Sequence, residues 1–237
     1  MKKCLVLPLV AGLLCSWQFS SAADITGTVT LDGTPPAEKP YTPLKQDATC
    51  GKLHSETPTT HFYVVGPNRG LADVVVMLKG LTGKSTGASA PPVVLDQKGC
   101  LYTPQILAIQ TGQKLVVRNS DPVLHNVRTE PTVAGNPVEN QAQLAGSPDL
   151  TFTLDKAENF LKFKCDVHPW MFAWVTVVDH PYFAVTGHDG RFTLKNVPPG
   201  KYTLTALHRK AAPEGVDKSI EVKEGETTRA DFTLTVK

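Results

Sequence analysis

The chain has 237 residues, with 24 lysines and arginines against 22 aspartates and glutamates and a formal net charge of +2. So small an imbalance argues against nucleic acid or an anionic membrane surface as the partner. The length is sufficient for one large or two small β domains.

The first 23 residues have the pattern of a secretory signal peptide. Two lysines precede an apolar run, and the small residues 21–23 stand before Asp24. The run is too short to span a membrane, and Cys15 follows Leu14 where a lipidation site has a small residue, so no membrane anchor is expected. Cleavage would leave 214 residues with 22 basic and 22 acidic side chains. We therefore predict a neutral mature chain in the periplasm or outside the cell.

Short runs with alternating apolar and polar residues recur between turn signals, and no convincing amphipathic helix is found. Period-two alternation between turns rich in Gly, Pro and Asp predicts an all-β fold of the sandwich type. The predicted strands lie at 25–31, 74–80, 106–120 (two strands around Thr111-Gly112), 160–165, 191–196, 201–207 and 230–236.

Two stretches interrupt this alternation. Residues 82–92 are rich in Gly, Ser and Pro and are expected to form a linker. Residues 129–149 form a long polar excursion, which we expect to be a functional or mobile loop.

Three cysteines remain after the signal segment: Cys50, Cys100 and Cys165. In an oxidising compartment cysteines pair in disulfides, so an odd number of cysteines leaves one thiol unpaired. An unpaired thiol without a function would be open to oxidation. We therefore expect a Cys50–Cys100 disulfide, with Cys165 kept as a thiolate ligand for a metal.

The segment CDVHPWM places Cys165, His168 and Met171 three residues apart. With His125, forty residues upstream at the end of a predicted strand, they provide two imidazoles, one thiolate and one thioether. That donor set on strand ends suits a copper site. The cysteine and histidine alone would also be compatible with zinc or with chance.

Three segments together resemble the amicyanins, blue copper proteins of the cupredoxin family: YTP at 102, GQKLVVRNSDPVLHNV, and FKCDVHPWM. The resemblance covers residues 93–180 and implies a Greek-key β-sandwich with one type 1 copper. It implies that His125, Cys165 and His168 are the strong ligands and Met171 the weak axial one. A cupredoxin with a different metal or none is the alternative.

The same resemblance implies roles for the residues around the metal. Asn126 is expected to hydrogen-bond across to the ligand loop and to donate its backbone N–H near the thiolate. His168 is expected to be the exposed port for electrons, with Pro169 and Trp170 as an apolar docking patch; a core position is the alternative for Trp170. Where the family has proline, this chain has Val167, whose N–H is expected to give the Cys165 sulfur a second hydrogen bond.

The C-terminal segment TGHDGRFTLKNVPPGKYTL resembles carboxypeptidase regulatory-like domains, which have a transthyretin-like β-sandwich. The opening strands of that family are missing just before Phe183 but are present near the N-terminus. We therefore expect a sandwich split into residues 24–82 and 181–237, with a linker at 83–92 and the cupredoxin domain at 93–180. Three consecutive pieces are the alternative.

No catalytic constellation is found, so an enzyme is not expected. The remaining histidines share no ligand spacing; they are His54, His61, His180, His188 and His208. The function expected is single-electron transfer between transient redox partner proteins, with a donor such as a dehydrogenase and a respiratory acceptor. The alternatives are a copper carrier or sensor, and a structural or interaction module with an incidental metal.

Overall fold

The computed structural model describes residues 21–237, so the predicted signal segment lies almost entirely outside it. Ala23, the last residue of that segment, is buried and begins the first strand. No helix in the described part of the chain is long and apolar enough to cross a membrane.

The described chain is nearly all β, which confirms the predicted all-β sandwich class. Within residues 21–237 the one α-helix, α1, is Thr42–Gln46, and three short 3-10 helices lie at Cys50–Leu53, Pro67–Arg69 and Gly87–Ser89. The strands are β1 Ala23–Asp32, β2 Val75–Leu78, β3 Val93–Gln97, β4 Tyr102–Thr103, β5 Ile106–Gln110, β6 Lys114–Asn119, β7 His125–Glu130, β8 Asn140–Gln143, β9 Leu150–Thr153, β10 Glu158–Lys164, β11 Phe172–Val178, β12 Phe183–Val185, β13 Arg191–Val197, β14 Gly200–His208, β15 Ala212–Val222, β16 Thr228–Arg229 and β17 Phe232–Thr235.

Two sheets in the middle of the chain enclose one apolar core. The first has the order β5-β11-β10-β7-β8 and the second the order β4-β3-β6-β9. Leu95, Leu115 and Phe163 come from different strands of these sheets and belong to one buried cluster. The inward positions alternate with polar ones, as in a half-buried strand.

Two other sheets combine the beginning and the end of the chain. β1 pairs with β13, β16 and β17, and β2 pairs with β12 and β14. Their apolar faces share a second buried cluster, which includes Ile25, Leu78 and Leu204. A Cβ on Gly27 would lie 2.0 Å from the carbonyl oxygen of Ala230, so only glycine allows these strands to approach so closely.

The prediction of a loop over residues 129–149 is wrong for residues 140–143, which form β8. This strand pairs antiparallel with β7 along residues 140–143. It lies at the edge of its sheet, and its side chains are mostly polar. Backbone hydrogen bonds to β7 hold β8 in the sheet. Because its side chains are mostly polar, the sequence shows no alternation of apolar residues there. The short helix α1 was also not predicted.

The Gly/Ser/Pro-rich stretch is fixed to the middle sheets rather than extended in solvent. The N–H of Thr86 donates to Gln110 Oε1 at 2.8 Å, and the hydroxyl of Ser85 donates to the carbonyl of Thr111 at 2.7 Å. A few specific hydrogen bonds therefore hold a segment that composition alone describes as a linker.

Candidate metal centre

The loop between β10 and β11 brings its ligand residues together. The N–H of Cys165 donates to the carbonyl of Met171 at 3.0 Å, and the N–H of Met171 donates to the carbonyl of His168 at 2.9 Å. These two bonds fold residues 165–171 into a tight turn at one end of the sheet.

His125 comes to the same place from a neighbouring strand. It begins β7, which pairs with β10 through Arg128 and Lys164. Its Nδ1 lies 2.9 Å from Nδ1 of His168, and the Cys165 sulfur lies 3.7 Å from that same His168 atom. Three predicted ligands therefore present their donor atoms to one point, within 4.8 Å of one another.

Met171 is fully buried and belongs to the same apolar cluster as Cys165. His125 is also fully buried, and Cys165 is 2% exposed. The centre therefore lies below the protein surface, where water is excluded and electrostatic interactions are strong.

The environment of Cys165 stabilises its thiolate. Burial favours the neutral thiol, but hydrogen bonds from the imidazoles of His125 and His168 and from backbone N–H groups lower the pKa of Cys165 to about 6. The N–H groups are those of Asn126, at 3.4 Å from the sulfur, and His168. The hydrogen bond expected from the Val167 N–H to this sulfur stays a prediction, and the Val167 side chain is 50% exposed.

Asn126 holds the ligand loop to the adjacent strands. Its side-chain oxygen accepts a hydrogen bond from the N–H of Asp166 at 2.5 Å. Its side-chain amide donates to Asn140 on β8. These contacts agree with the bridging role expected for Asn126, and they hold Cys165 at a fixed position relative to His125.

Asp121 is a residue of the centre that the sequence analysis did not select. Its carboxylate is buried and accepts a hydrogen bond from His125 Nε2 at 2.9 Å. It also accepts from the backbone N–H groups of Gly99, at 2.6 Å, and Cys100, at 2.7 Å. Burial opposes the charge, yet these bonds hold the pKa of Asp121 below its usual value. When neutral His125 donates its one ring proton from Nε2 to Asp121, Nδ1 no longer donates to the Cys165 sulfur, and its lone pair is available to a metal instead.

A disulfide lies directly beside the centre. It joins Cys50 and Cys100, the pair expected from the odd number of cysteines. Both residues are fully buried and pack with Leu44 of α1. A ring nitrogen of His168 and both sulfurs lie within 4.8 Å of one another. We call residues 41–54 the cap, because this segment and its disulfide cover His168.

The cap changes the expected surface of the centre. His168 is only 7% exposed, so the expectation of an exposed imidazole is wrong. Pro169 is exposed, but Trp170 is half-buried against the cap, and its indole N–H donates to the carbonyl of Cys100 at 3.1 Å. The sequence could not indicate this arrangement, because the covering residues lie more than a hundred positions upstream.

The other histidines of the described chain do not join a candidate metal group. His180 is buried with Nε2 at 2.8 Å from the carbonyl oxygen of Leu78. His208 is buried and accepts hydrogen bonds from the backbone N–H groups of Lys210 and Ala211. Two further groupings include Cys50 or Cys100, whose sulfurs are bound to each other and are not thiolates.

Comparison with known proteins gives one family match. Residues 168–235 match the carboxypeptidase regulatory-like domain. The matched residues begin inside the ligand loop and include β11, which lies in the five-stranded sheet. No curated protein was found to match the chain.

Among solved structures, two kinds of copper protein are similar to part of the chain. A Cu(I) form of an amicyanin variant is 18% identical, with 43% of this chain and 97% of that chain covered and a TM-score of 0.33. A copper-containing nitrite reductase from Thermus scotoductus SA-01 is 21% identical, with 37% of this chain and 22% of that chain covered and the same TM-score.

Proposed function

We propose that the protein binds one copper ion and transfers single electrons in the periplasm or outside the cell. The observation that carries this proposal is the convergence of His125, Cys165 and His168 at a buried point, with Met171 packed in the same cluster. Two imidazoles, a thiolate and a thioether are the donor set of blue copper sites. Bound there, copper supplies a redox couple between Cu(II) and Cu(I).

The residues of the chain fit that role because they hold the donors in place before a metal arrives. Asp121 orients His125, and Asn126 ties the ligand loop to β7 and β8. A rigid set of ligands needs little rearrangement when the charge of the metal changes. Four protein donors in a buried site leave no position for a substrate, which supports an electron carrier rather than an enzyme.

The partner surface is also a proposal. We retain Pro169 and Trp170 as contacts for a redox partner protein, since Pro169 is exposed and adjoins His168. Because the cap covers His168, electrons would enter beside the imidazole rather than through its exposed edge. The cap also disfavours a copper carrier that releases its metal readily.

We further propose that the first and last parts of the chain form one split domain, residues 24–82 and 181–237, into which the copper-binding sandwich is inserted at 93–180. The pairing of β1 and β2 with strands after residue 183 supports this division. No candidate metal group lies wholly within the regulatory-like half among the described residues, and its Cys50 is held in the disulfide, so we assign this half a docking role.

The test is to add Cu(II) to the purified metal-free protein and to record the visible spectrum. A type 1 centre gives an intense sulfur-to-copper charge-transfer band at one copper per chain, which ascorbate bleaches and ferricyanide restores. A protein that binds one copper and stays colourless would overturn the assignment. A coloured protein that loses its copper on each reduction would favour the carrier instead.

A further inference from the structure

A cavity of about 260 Å³ lies between the middle sheets and the regulatory-like half. Its walls include Phe62 before β2, Phe172 and Trp174 on β11, and Arg209 and Lys210 after β14. Pro169 of the ligand loop also lines it, so the cavity lies beside the candidate metal centre without sharing a ligand with it.

The walls combine aromatic rings with positive charges. The guanidinium of Arg209 lies 3.7 Å from the centroid of the Trp174 ring, and the ammonium of Lys210 lies 4.1 Å from that of Phe62. Lys162 lies 5.9 Å from the Trp174 ring on the same cavity. These contacts hold the cations in fixed positions against flat apolar surfaces.

The positive charges at this cavity are largely uncompensated. Lys162 pairs with Glu130 at 3.3 Å. Within residues 21–237 the side chains of Arg209 and Lys210 make no ion pair, and Nε of Arg209 is buried without a hydrogen-bond partner. Leaving a half-buried guanidinium without an acceptor is costly, and an acceptor supplied from outside would relieve that cost.

The cavity's own acid does not compensate these charges. Asp73 is the one carboxylate among the lining residues, and no ion pair joins it to Arg209 within the described chain. Burial raises the pKa of Asp73 above its usual value. The neighbouring His208 is buried, and burial lowers its pKa to about 4, so it adds no charge near neutral pH.

We propose that this cavity binds a small planar aromatic molecule that carries one carboxylate or a similar anionic group. The ring would lie between the aromatic walls, and the anionic group would accept hydrogen bonds from Arg209 and Lys210. Ligand sites for drug-sized molecules occupy about 300–1,000 Å³, so a cavity of about 260 Å³ suits a ligand of one or two rings. A concave site of this size favours a small molecule over a protein surface.

The test uses naphthoate as the probe, with the metal-free protein, so that its result does not depend on copper. Neutral naphthamide and cationic naphthylmethylamine are controls of similar shape. Binding is followed by calorimetry and by the shift of the Trp174 indole resonance in NMR spectra. We expect naphthoate to bind at least about tenfold more tightly than the amide, because charge-assisted hydrogen bonds are the stronger kind, and the amine to bind most weakly.

Two variants connect this preference to Arg209. Arg209→Gln should weaken the preference for naphthoate over naphthamide severalfold, since only Lys210 then remains as a donor to the anionic group, and Arg209→Lys should restore part of it. Arg229→Gln removes an arginine that lies elsewhere and pairs with Asp231, and it should leave the preference unchanged. Equal binding of naphthoate and naphthamide, absence of binding, or an unchanged preference in folded Arg209→Gln would overturn the proposal.

Discussion

Cys165 is the residue on which the proposed metal centre depends most. Its sulfur faces His168, and its thiolate is stabilised by the surrounding N–H groups. We expect Cys165→Ser to abolish the charge-transfer band, because an alcohol does not replace a soft thiolate for copper. Met171→Leu should keep a coloured centre, since the three strong donors remain. Visible spectra after addition of one equivalent of Cu(II) compare the two variants; a blue Cys165→Ser protein would contradict this prediction.

Asp121 is the residue whose role the structure adds to the centre. Asp121→Asn would keep the shape but lose the charged acceptor for His125 Nε2. Partners of this kind typically change metal affinity by roughly ten- to a hundredfold, and we expect a loss of that size in competition titrations with a copper chelator. Asp149→Asn, which affects only a surface ion pair with Arg118, is the control. Equal affinity of both variants would show that Asp121 does not support the ligand.

The donors could be selected from the sequence because their chemistry and spacing are local. Cys165, His168 and Met171 lie in one short loop, and His125 follows a strand that the alternation of apolar residues predicts. Asp121 could not be selected, since a carboxylate four residues before a histidine has no distinctive pattern. The backbone N–H of His168, which also lowers the pKa of Cys165, could not be selected either, because residue types do not give the directions of the N–H groups in a turn.

The cap is an element whose effect can be measured as metal exchange. The Cys50–Cys100 disulfide closes a separation of 50 residues, for which the chain-entropy model gives about 4 kcal/mol of stabilisation. We expect the Cys50→Ala/Cys100→Ala variant to lose up to that amount of unfolding free energy. Since the cap would then be free to move away from His168, a chelator should also remove copper faster.

The two effects of this variant are separable. Release of copper is measured well below the unfolding temperature of the variant, so that global unfolding does not contribute. Val138→Ala, at an exposed position outside the cap, serves as the control for the rate. If copper leaves the folded disulfide-free protein at the wild-type rate, the cap is not a barrier to exchange.

At the level of elements, period-two alternation found the strands with one apolar face. β1 alternates buried and partly buried residues along nearly its whole length. β8 and α1 were missed for a common reason. β8 is a polar edge strand held by its ladder to β7, and α1 has five residues with one buried side chain, Leu44. Neither presents enough apolar surface to produce a periodic signal.

The proposed division of the whole molecule predicts two separable thermal transitions. Leu78 is buried in the core formed by the ends of the chain, and Leu115 in the core of the middle sheets. Each Leu→Ala substitution should cost roughly 2–5 kcal/mol. In calorimetry we expect Leu115→Ala to lower the midpoint temperature of one transition and Leu78→Ala that of the other. Copper should raise only the midpoint temperature of the transition that Leu115→Ala lowers. A single transition shifted equally by copper and by both variants would argue for one cooperative unit.

The stability of the whole molecule should also depend on pH through His208. Burial lowers the pKa of this residue from 6.5 to about 4. Below pH 6.5 the unfolded chain therefore binds a proton that the folded chain excludes, and stability falls as the pH is lowered towards 4. Below that value both states are protonated, and this contribution stays constant. A shift of this size corresponds to a loss of up to about 3 kcal/mol across the window.

Burial also lowers the pKa of His180, so variants are compared to separate the contribution of His208 from that of His180. His208→Gln should be less stable at pH 7, because the hydrogen bonds from Lys210 and Ala211 are disturbed, yet its unfolding free energy should change less between pH 6.5 and 4. His188→Gln, at an exposed position, should keep the wild-type slope. Denaturant titrations of the metal-free proteins across that range measure both slopes. An unchanged slope in His208→Gln would mean that His208 is protonated equally in the folded and unfolded states, since only a difference in proton binding makes stability depend on pH.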